Sequence, residues 1–534
     1  MKSQSQFRGS QTSYKKGDSM RILLEKIWKA LKLVSQSLFE LLFQAQVTGK
    51  RRWLAWIWLL GVFILGLYWF WIFFDHGANT VFFHDWANIT APRYQFLKSA
   101  VVEMQFPLHI SDPGTFHGYT YRYLSVPDTL ISPQLILLGW TAITRFNLYN
   151  VCILYTLGFM GLLVLRNKFH ISLVPFTALS LLFNFNGNIL AHFSVGHANW
   201  GGYFLFPWFA WLVFRLLEGD RSWKWTFGMS LLLFVIWLQG SFHQYIWLLM
   251  ILGLIAIFVP RVFWFVVRAG AITLVLSAFR LLPAILSYGN YVGGFDNGFI
   301  TWGVLLNYLI FIANPGELKY FMPGTGPNIG AWELTTFIGL VGTVFVIYFG
   351  LYRGLLARKA PFRSLALPVG IMLLLTGGLY YLVDQLHIPL LSGERISSRM
   401  ILVPLTFGLI MAAERFQRWL DDSDRKNFMA AGSIMAFSLT GLDLWLNMNA
   451  WKISDASRVF DWEYFDPNKW FVKNDYGDTL YLGLVFGGLA ISLVTFIVLA
   501  VLSWRDTQGT PFRWNRRERQ LKNSAPPPSR PTPG

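Results

Sequence analysis

An acidic residue follows the first long apolar stretch of the chain, at a position where a carboxylate could do chemistry. Asp85 lies shortly after residues 53–74, which carry no charge and are long enough to cross a bilayer. A carboxylate at a membrane surface can take a proton from a substrate hydroxyl. His84 beside it, with Arg93 and Arg122 further along, would contact the substrate and supply positive charge for a phosphate. The alternative is a solvated loop acid or an acid that caps the following helix.

Three histidines form the next group of candidates. His192 and His197 lie five positions apart in a turn between two apolar stretches, and His243 lies at a later turn predicted on the same side. That spacing does not place two side chains on one helix face, so no metal site is predicted, although a divalent ion remains an alternative. We expect these histidines to hydrogen-bond a sugar or a phosphate. The alternative is that they only complete a tight turn. No cofactor is predicted.

Three arginines and one glutamate complete the set of candidates. Arg280 lies inside an apolar stretch, where an arginine usually faces a cavity or a partner, so we expect a phosphate or carboxylate beside it. Arg395 and Arg399 are four positions apart and would share one face of a helix, as a phosphate clamp requires. Glu394 precedes them, and an ion pair between Glu394 and one of the two arginines is the alternative. Snorkelling to lipid headgroups is the alternative for Arg280.

The composition identifies the kind of molecule that must position these residues. The chain has 534 residues, of which 54% are hydrophobic and only 14% are charged. Soluble domains carry about 25% charged residues, so an all-α integral membrane protein is predicted. The net charge of +17 comes from the N-terminal arm, short loops and the tail, which is the positive-inside pattern and not a nucleic-acid signal. The single cysteine, Cys152, cannot form an internal disulfide.

Windows of roughly 20 apolar residues predict about twelve transmembrane helices in residues 53–504. Every loop predicted to lie inside is basic, which places both termini in the cytoplasm and the candidate residues on the extracytoplasmic face. Three long outer loops are predicted, at 75–146, 287–332 and 447–480. The predicted spans are 53–74, 147–165, 171–190, 202–217, 225–240, 244–259, 266–286, 333–352, 365–382, 399–413, 428–446 and 481–503.

The two ends of the chain differ from this transmembrane domain. Residues 1–52 form a basic arm in which apolar positions between residues 20 and 45 recur at helical spacing, which predicts an amphipathic helix on the membrane lipids. Residues 505–534 are basic and proline-rich, as in a disordered cytoplasmic tail. In the first outer loop, the apolar run 134–144 predicts a helix that lies along the membrane interface.

Taken together, these features resemble the GT-C superfamily of polyprenyl-phosphate-dependent glycosyltransferases, in its bacterial multi-spanning form. The resemblance rests on Asp85 after the first span, a long first outer loop with interfacial helices, and the segments 280–283 and 394–399. It implies a cavity open to the outside, a polyprenyl-phosphate sugar as donor, and Asp85 as general base in an inverting transfer. The sequence departs from some members because the first loop lacks a paired-acid metal pattern.

The sequence therefore predicts an enzyme that moves a sugar from a polyprenyl phosphate to a lipid, glycan or protein acceptor. The arginines would hold the departing phosphate, whose charge grows as the bond breaks. The rival interpretation is a transporter or flippase for lipid-linked sugar or polysaccharide. Transporters tend to place polar residues and broken helices near the membrane midplane. Here the polar candidates gather at the predicted outer ends of the spans, which favours an enzyme.

Overall fold

The structure is a computed structural model, and it describes residues 14–44, 49, 51–111, 122–288, 297–313, 315, 330–356, 361–388, 391, 394–422 and 426–509. Within these residues the regular structure is helical, joined by isolated bridges between extended segments. The predicted tail, 510–534, and the first part of the N-terminal arm lie outside them. The α-helices are α1 Tyr14–Phe43, α2 Arg51–Phe73, α3 Ala91–Val102, α4 Ile143–Phe169, α5 Leu173–Asn184, α6 Gly187–Val195, α7 Phe206–Leu217, α8 Trp223–Leu238, α9 Phe242–Phe258, α10 Phe263–Leu276, α11 Ala278–Tyr288, α12 Trp302–Ile310, α13 Gly339–Val344, α14 Phe362–Leu375, α15 Tyr380–Asp384, α16 Leu402–Asp421, α17 Lys426–Ala450, α18 Ile453–Val459 and α19 Thr479–Gly509.

Six helical stretches of the described chain are long and apolar enough to cross a membrane. A pair bent by 116°, Phe242–Phe258 with Pro260–Leu276, would bring the number to seven if it forms one span. The membrane character of the chain is therefore supported, while the predicted number of twelve is not confirmed. The other predicted windows fall on shorter or broken helices. The six stretches are Arg51–Phe73, Ile143–Phe169, Leu173–Val195, Ser397–Asp421, Phe428–Ala450 and Thr479–Gln508.

Burial divides these spans into central and peripheral ones. In Leu173–Val195 and in Ser397–Asp421, 94% of the apolar window is buried inside the protein, against 22% in Thr479–Gln508. Helices that are apolar all round and enclosed by others form a core, whereas exposed apolar faces suit contact with lipid. The central pair carries His192 near the end of one member and Arg399 near the start of the other. The rigid centre of the bundle therefore positions two of the candidate residues.

The regions predicted as outer loops contact one another. Phe83 forms an antiparallel bridge with Trp462, and Ile110 forms another with Val472. Loop 75–146 is therefore joined to loop 447–480 by backbone hydrogen bonds. The side of the membrane on which they lie, and the location of the termini, stay predictions.

Two helices predicted outside the spans have clear outcomes. The N-terminal amphipathic helix exists as α1, and its Trp28 is 71% exposed; its place on a lipid leaflet stays a prediction. The segment predicted as a helix at 134–144 contains a 3-10 helix, Pro133–Gly139, and its place along the membrane interface stays a prediction. The following span begins at Ile143 and not at 147, because α4 includes Thr144 and Arg145.

Candidate active site

Asp85 lies in a turn that the C-terminal outer loop holds in place. The preceding Phe83 pairs with Trp462, and His84 adopts the left-handed backbone conformation with φ +42°. A non-glycine residue is held there only when its surroundings impose it, and such strain concentrates at functional sites. A π-helical turn, Trp86–Thr90, follows, and the Asp85 side chain makes no capping hydrogen bond to it. The helix-cap alternative for Asp85 is therefore wrong.

A glycine lets the histidine-bearing turn pack directly on the backbone of Asp85. Gly196 ends α6 with φ +103°, a conformation that glycine adopts without strain. A Cβ atom at Gly196 would lie 2.4 Å from the backbone nitrogen of Trp86 and 2.8 Å from the carbonyl carbon of Asp85. The indole Nε1 of Trp86 donates to the carbonyl of Ser194 at 3.0 Å and fixes this contact. His197, the residue after the glycine, is thereby placed beside the carboxylate.

Five side chains form a continuous polar chain, here named the Asp85–Arg399 cluster. Nε2 of His197 lies 2.7 Å from Oδ2 of Asp85, and its Nδ1 lies 2.6 Å from Nδ1 of His192. Nε2 of His192 lies 3.7 Å from Oε2 of Glu333. The guanidinium of Arg399 holds both oxygens of Glu333, with Nε donating to Oε2 at 2.6 Å. Residues more than 300 positions apart in sequence thus meet in one site.

The centre of the cluster is buried, its Arg399 end is 14% exposed, and its Asp85 end is the most exposed. The side chain of His192 is fully buried, and that of Glu333 is 5% exposed. His197 is 12% exposed and Asp85 24%. Asp85 is therefore the carboxylate of this cluster that a substrate can reach.

The surroundings keep both carboxylates of the cluster ionised. Burial raises the pKa of Asp85, and the hydrogen bond donated by His197 is the largest of the contributions that bring this pKa below its ordinary value. Burial also raises the pKa of Glu333, and the charge and hydrogen bonds of Arg399 hold it far below the usual range. Asp85 is thus available as a base at neutral pH.

A second histidine–carboxylate pair lies nearby and is closed. Nδ1 of His243 lies 2.9 Å from Oε2 of Glu394, which also accepts from Nε1 of Trp247 at 2.8 Å. Glu394 is 1% exposed. Burial raises the pKa of Glu394, but the charge and hydrogen bond of His243 lower it below its ordinary value. Arg399, which lies over the ring of Trp200 with 5.4 Å to its centre, contributes to the same lowering and links the two regions electrostatically.

Arg280 is buried against backbone and not against an acid. It is 1% exposed, and its NH2 group donates to three carbonyls at 3.0 to 3.1 Å. The Nε and NH1 nitrogens have no hydrogen-bond partner among the described residues, so a phosphate or carboxylate beside Arg280 stays a prediction. Its burial excludes snorkelling to lipid headgroups. Arg280 therefore fastens the turn that carries its acceptors to α11. The acceptors are Val126, Pro127 and Thr129.

Arg122 and Arg93 also contact protein groups. Arg122 forms an ion pair with Asp478, with NH2 donating to Oδ1 at 3.0 Å. Arg93 donates to the backbone carbonyl of Asp128 at 3.3 Å. Both arginines lie in the first long loop, and neither of these contacts reaches the Asp85–Arg399 cluster. Their predicted role in substrate binding stays a prediction.

The expected face shared by Arg395 and Arg399 is wrong. Arg395 precedes a 3-10 turn, Ser397–Ile401, so the two residues are not on one α-helix. The acid that pairs with Arg399 is Glu333, while Glu394 contacts His243. Arg395 is exposed.

Sequence reasoning missed Glu333, which holds the cluster together. The second predicted long loop ends at residue 332 and a predicted span begins at 333, so Glu333 was not among the candidates. Glu333 instead closes a 3-10 turn, Ala331–Glu333, and is almost fully buried. An acid at the edge of an apolar window, followed by two threonines, was the available signal.

Three members of the cluster also have the donor atoms of a metal site. His192, His197 and Glu333 offer one ligand atom each, all within 4.8 Å of one another. Imidazole nitrogens with one carboxylate oxygen suit a divalent transition metal. The expectation that no metal is used has not been tested.

Comparisons with known proteins give little sequence information. No protein-family model and no curated protein matches this chain. Among solved structures, the cryo-EM structure of the arabinofuranosyltransferase AftD from Mycobacteria matches with 14% identity and a TM-score of 0.38, over 78% of this chain and 27% of that chain. The matched region is thus about a quarter of that protein. At this TM-score the similarity settles neither the family nor the activity.

Proposed function

We propose that this protein is an integral membrane glycosyltransferase that uses Asp85 as its general base. One observation carries the proposal: Asp85 is the most exposed member of the polar cluster, and its surroundings favour the ionised form. Its contacts with His197 and His84 both involve Oδ2, which leaves Oδ1 directed to other partners. A carboxylate fixed on one oxygen and open on the other suits proton abstraction from a bound hydroxyl.

The reaction follows from this geometry. Asp85 accepts the proton of an acceptor hydroxyl while the hydroxyl oxygen bonds to the anomeric carbon of the donor sugar. The bond from that carbon to the phosphate oxygen breaks, and the phosphate leaves with the electron pair. Attack from the face opposite the phosphate inverts the anomeric configuration. The leaving phosphate gains charge, which an arginine would stabilise, and the exposed Arg395 is the candidate for this role.

Aromatic rings beside the base support a carbohydrate substrate. His84 meets Trp332 edge to face, with 4.7 Å between ring centres, and lies 5.1 Å from Phe460. Trp332 and Phe460 contact each other at 5.5 Å. Such rings offer flat apolar faces against which the C–H face of a sugar can pack. We assign the donor to the polyprenyl-phosphate sugars because the base adjoins helices that are apolar enough to span a membrane. The acceptor is a lipid, glycan or protein on the extracytoplasmic face.

The test is a transfer assay with purified protein, radiolabelled polyprenyl-phosphate sugars and a membrane lipid extract. Asp85→Asn should abolish transfer while keeping the same elution profile in detergent. Asp75→Asn is the matched control, because Asp75 lies in the same loop but pairs with Lys452 at 3.0 Å, away from the cluster. Full activity of Asp85→Asn would sink the assignment of the base.

The same assay separates the enzyme from a transporter. Turnover of a donor by the wild type alone supports transfer or hydrolysis at Asp85. If wild type and Asp85→Asn both bind a lipid-linked sugar and neither turns it over, the result favours the transporter interpretation.

A further inference from the structure

A gap in the Asp85–Arg399 cluster points to a bound cation. Nε2 of His192 is fully buried, and no described residue forms a hydrogen bond with it. The nearest charged atom is Oε2 of Glu333, 3.7 Å away, too far for a hydrogen bond. A buried polar atom without a partner costs free energy, so such an atom in a folded core calls for an explanation.

The hydrogen bonds of the cluster decide which nitrogens carry protons. An ionised carboxylate only accepts, so His197 donates from Nε2 to Asp85 and keeps a lone pair on Nδ1. That lone pair accepts from Nδ1 of His192 at 2.6 Å. With its proton on Nδ1, His192 has a lone pair on Nε2 that faces the carboxylate of Glu333. Nε2 of His192 and the carboxylate of Glu333 thus face each other inside the protein, and a positive ion between them would interact favourably with both.

We propose that His192, His197 and Glu333 bind a divalent transition-metal ion. Their ligand atoms already lie within 4.8 Å of one another. Two metal–ligand bonds of about 2.1 Å that meet at a tetrahedral angle separate the ligand atoms by roughly 3.4 Å. The observed 3.7 Å between His192 and Glu333 therefore requires only a small adjustment. His197 joins by turning its Nδ1 lone pair from His192 to the ion.

The residues around these ligands support a metal site. A histidine that binds a metal usually donates its other nitrogen to a carboxylate, which fixes its tautomer. Asp85 has this relation to His197. Arg399 grips both oxygens of Glu333 and holds the acid against the ring of His192. Trp200 stacks on His192 with 4.0 Å between ring centres and fixes the plane of the imidazole.

The donor set indicates the class of ion. Two imidazoles and one carboxylate suit Zn²⁺, Mn²⁺ or Fe²⁺, whereas Mg²⁺ and Ca²⁺ prefer all-oxygen sites. The ion would bind His197, which itself contacts the proposed base Asp85. It would therefore add positive charge near the Asp85 carboxylate. The proposal concerns binding alone and does not depend on glycosyl transfer.

The experiment measures metal content and metal binding of the intact protein. Protein purified in detergent with a tag free of histidine should contain about one equivalent of metal by plasma mass spectrometry. After chelation it should take up Co²⁺ and show the visible absorption bands of a site with nitrogen and oxygen ligands. Glu333→Gln and His197→Asn should each lower the affinity for Co²⁺ at least tenfold, the lower end of the range for metal-site mutations.

A matched variant controls for the loss of a buried histidine. His243→Gln also removes a histidine that contacts a carboxylate, but its partner is Glu394, so metal content should not change. If the metal-site variants fail to fold, the cobalt titration of the wild type still decides the question. An empty wild type that takes up no Co²⁺, Zn²⁺ or Mn²⁺ would overturn the proposal and leave a proton as the cation between His192 and Glu333.

The outcomes also separate this inference from the proposed function. Transfer activity in a protein that binds no metal would remove only the metal site. Metal binding without turnover of any donor would remove only the glycosyltransferase.

Discussion

Two histidine–carboxylate pairs in this protein have nearly the same contact distance and opposite surroundings. The imidazole-to-oxygen distance is 2.7 Å for His197 with Asp85 and 2.9 Å for His243 with Glu394. The Asp85 side chain is 24% exposed, whereas Glu394 is 1% exposed and its contacted oxygen also accepts from Trp247. One carboxylate is open on one side, and the other is enclosed.

The comparison shows that a short contact to histidine does not by itself indicate catalysis. What distinguishes Asp85 is its exposure, 24% of the side chain against 1% for Glu394. Glu394 is buried and accepts a second hydrogen bond from Trp247, which indicates a structural role. The two pairs should therefore respond to mutation in opposite ways.

The largest expected effect is on activity at Asp85. Removing a general base typically lowers the rate by about 10²- to 10⁴-fold, so kcat of Asp85→Asn should fall by that amount. The melting temperature should stay close to that of the wild type, because the amide can still accept a hydrogen bond from His197. Parallel rate and scanning-fluorimetry measurements check both halves of this statement. A large drop in the melting temperature would mean that Asp85, like Glu394, has a structural role.

The opposite signature is expected for the enclosed pair. Glu394→Gln removes the buried carboxylate that His243 and Trp247 contact. Breaking a fully buried pair costs about 3–5 kcal/mol, which is an upper bound here because the His243 side chain is 22% exposed. The melting temperature should fall clearly, measured by fluorimetry in detergent. Any protein that remains folded should keep a measurable rate. Unchanged stability with lost transfer would move Glu394 into the catalytic machinery.

A substitution at Gly196 should disturb the His197–Asp85 pair without touching the His243–Glu394 pair. In Gly196→Ala the new Cβ would clash with the backbone of Trp86 and Asp85, and the residue has positive φ. A displacement of about 1 Å between catalytic groups can cost 10²-fold, so a similar loss of rate is expected. Gly219→Ala, also at positive φ but with nothing within 4 Å of its Cβ, is the control for backbone strain. Equal losses in the two variants would show that contact with Asp85 is not the cause.

The smallest expected effect is on stability, at the ion pair of Asp478 with Arg122, which lies outside both histidine–carboxylate pairs. This effect depends on pH. Burial raises the pKa of Asp478, but the hydrogen bond and charge of Arg122 have the larger effect and bring this pKa below its ordinary value. The stabilisation is therefore complete above the unfolded pKa of about 3.9 and is lost as pH falls through the lower folded value. Asp478→Asn should cost about 1.5–3 kcal/mol at pH 7. Melting curves at pH 7 and at about pH 3 should show this difference shrinking, and a constant difference would contradict the assignment.

The apolar spans were predictable because they depend on composition over long windows. The sequence located α2, α4 and α19 to within a few residues, since each keeps an uncharged apolar run. It did not locate the breaks inside shorter runs. The break after α5 depends on Gly187, whose Cβ would lie 2.5 Å from the backbone of Phe337. Such a contact between distant segments leaves no periodic signal in the chain.

The candidate site was predictable in its residue types and less so in their partners. Asp85, His192, His197 and Arg399 were named from the sequence, and they meet in one cluster. Glu333 was missed because an acid at a span boundary is common. The three carbonyls that accept from Arg280 were not predicted, since a window of sequence cannot show which turn folds over a helix.

The bridge between Phe83 and Trp462 has a consequence for the timing of biosynthesis. Asp85 is made early, but the backbone that positions its turn comes from Trp462 and from Glu463, whose N–H donates to the carbonyl of Phe82 at 3.0 Å. A chain still being inserted into the membrane therefore has the acid but not its final geometry. A nascent or truncated chain that stops before this loop would expose an unpositioned carboxylate, and activity would begin only after nearly the whole chain has been synthesised.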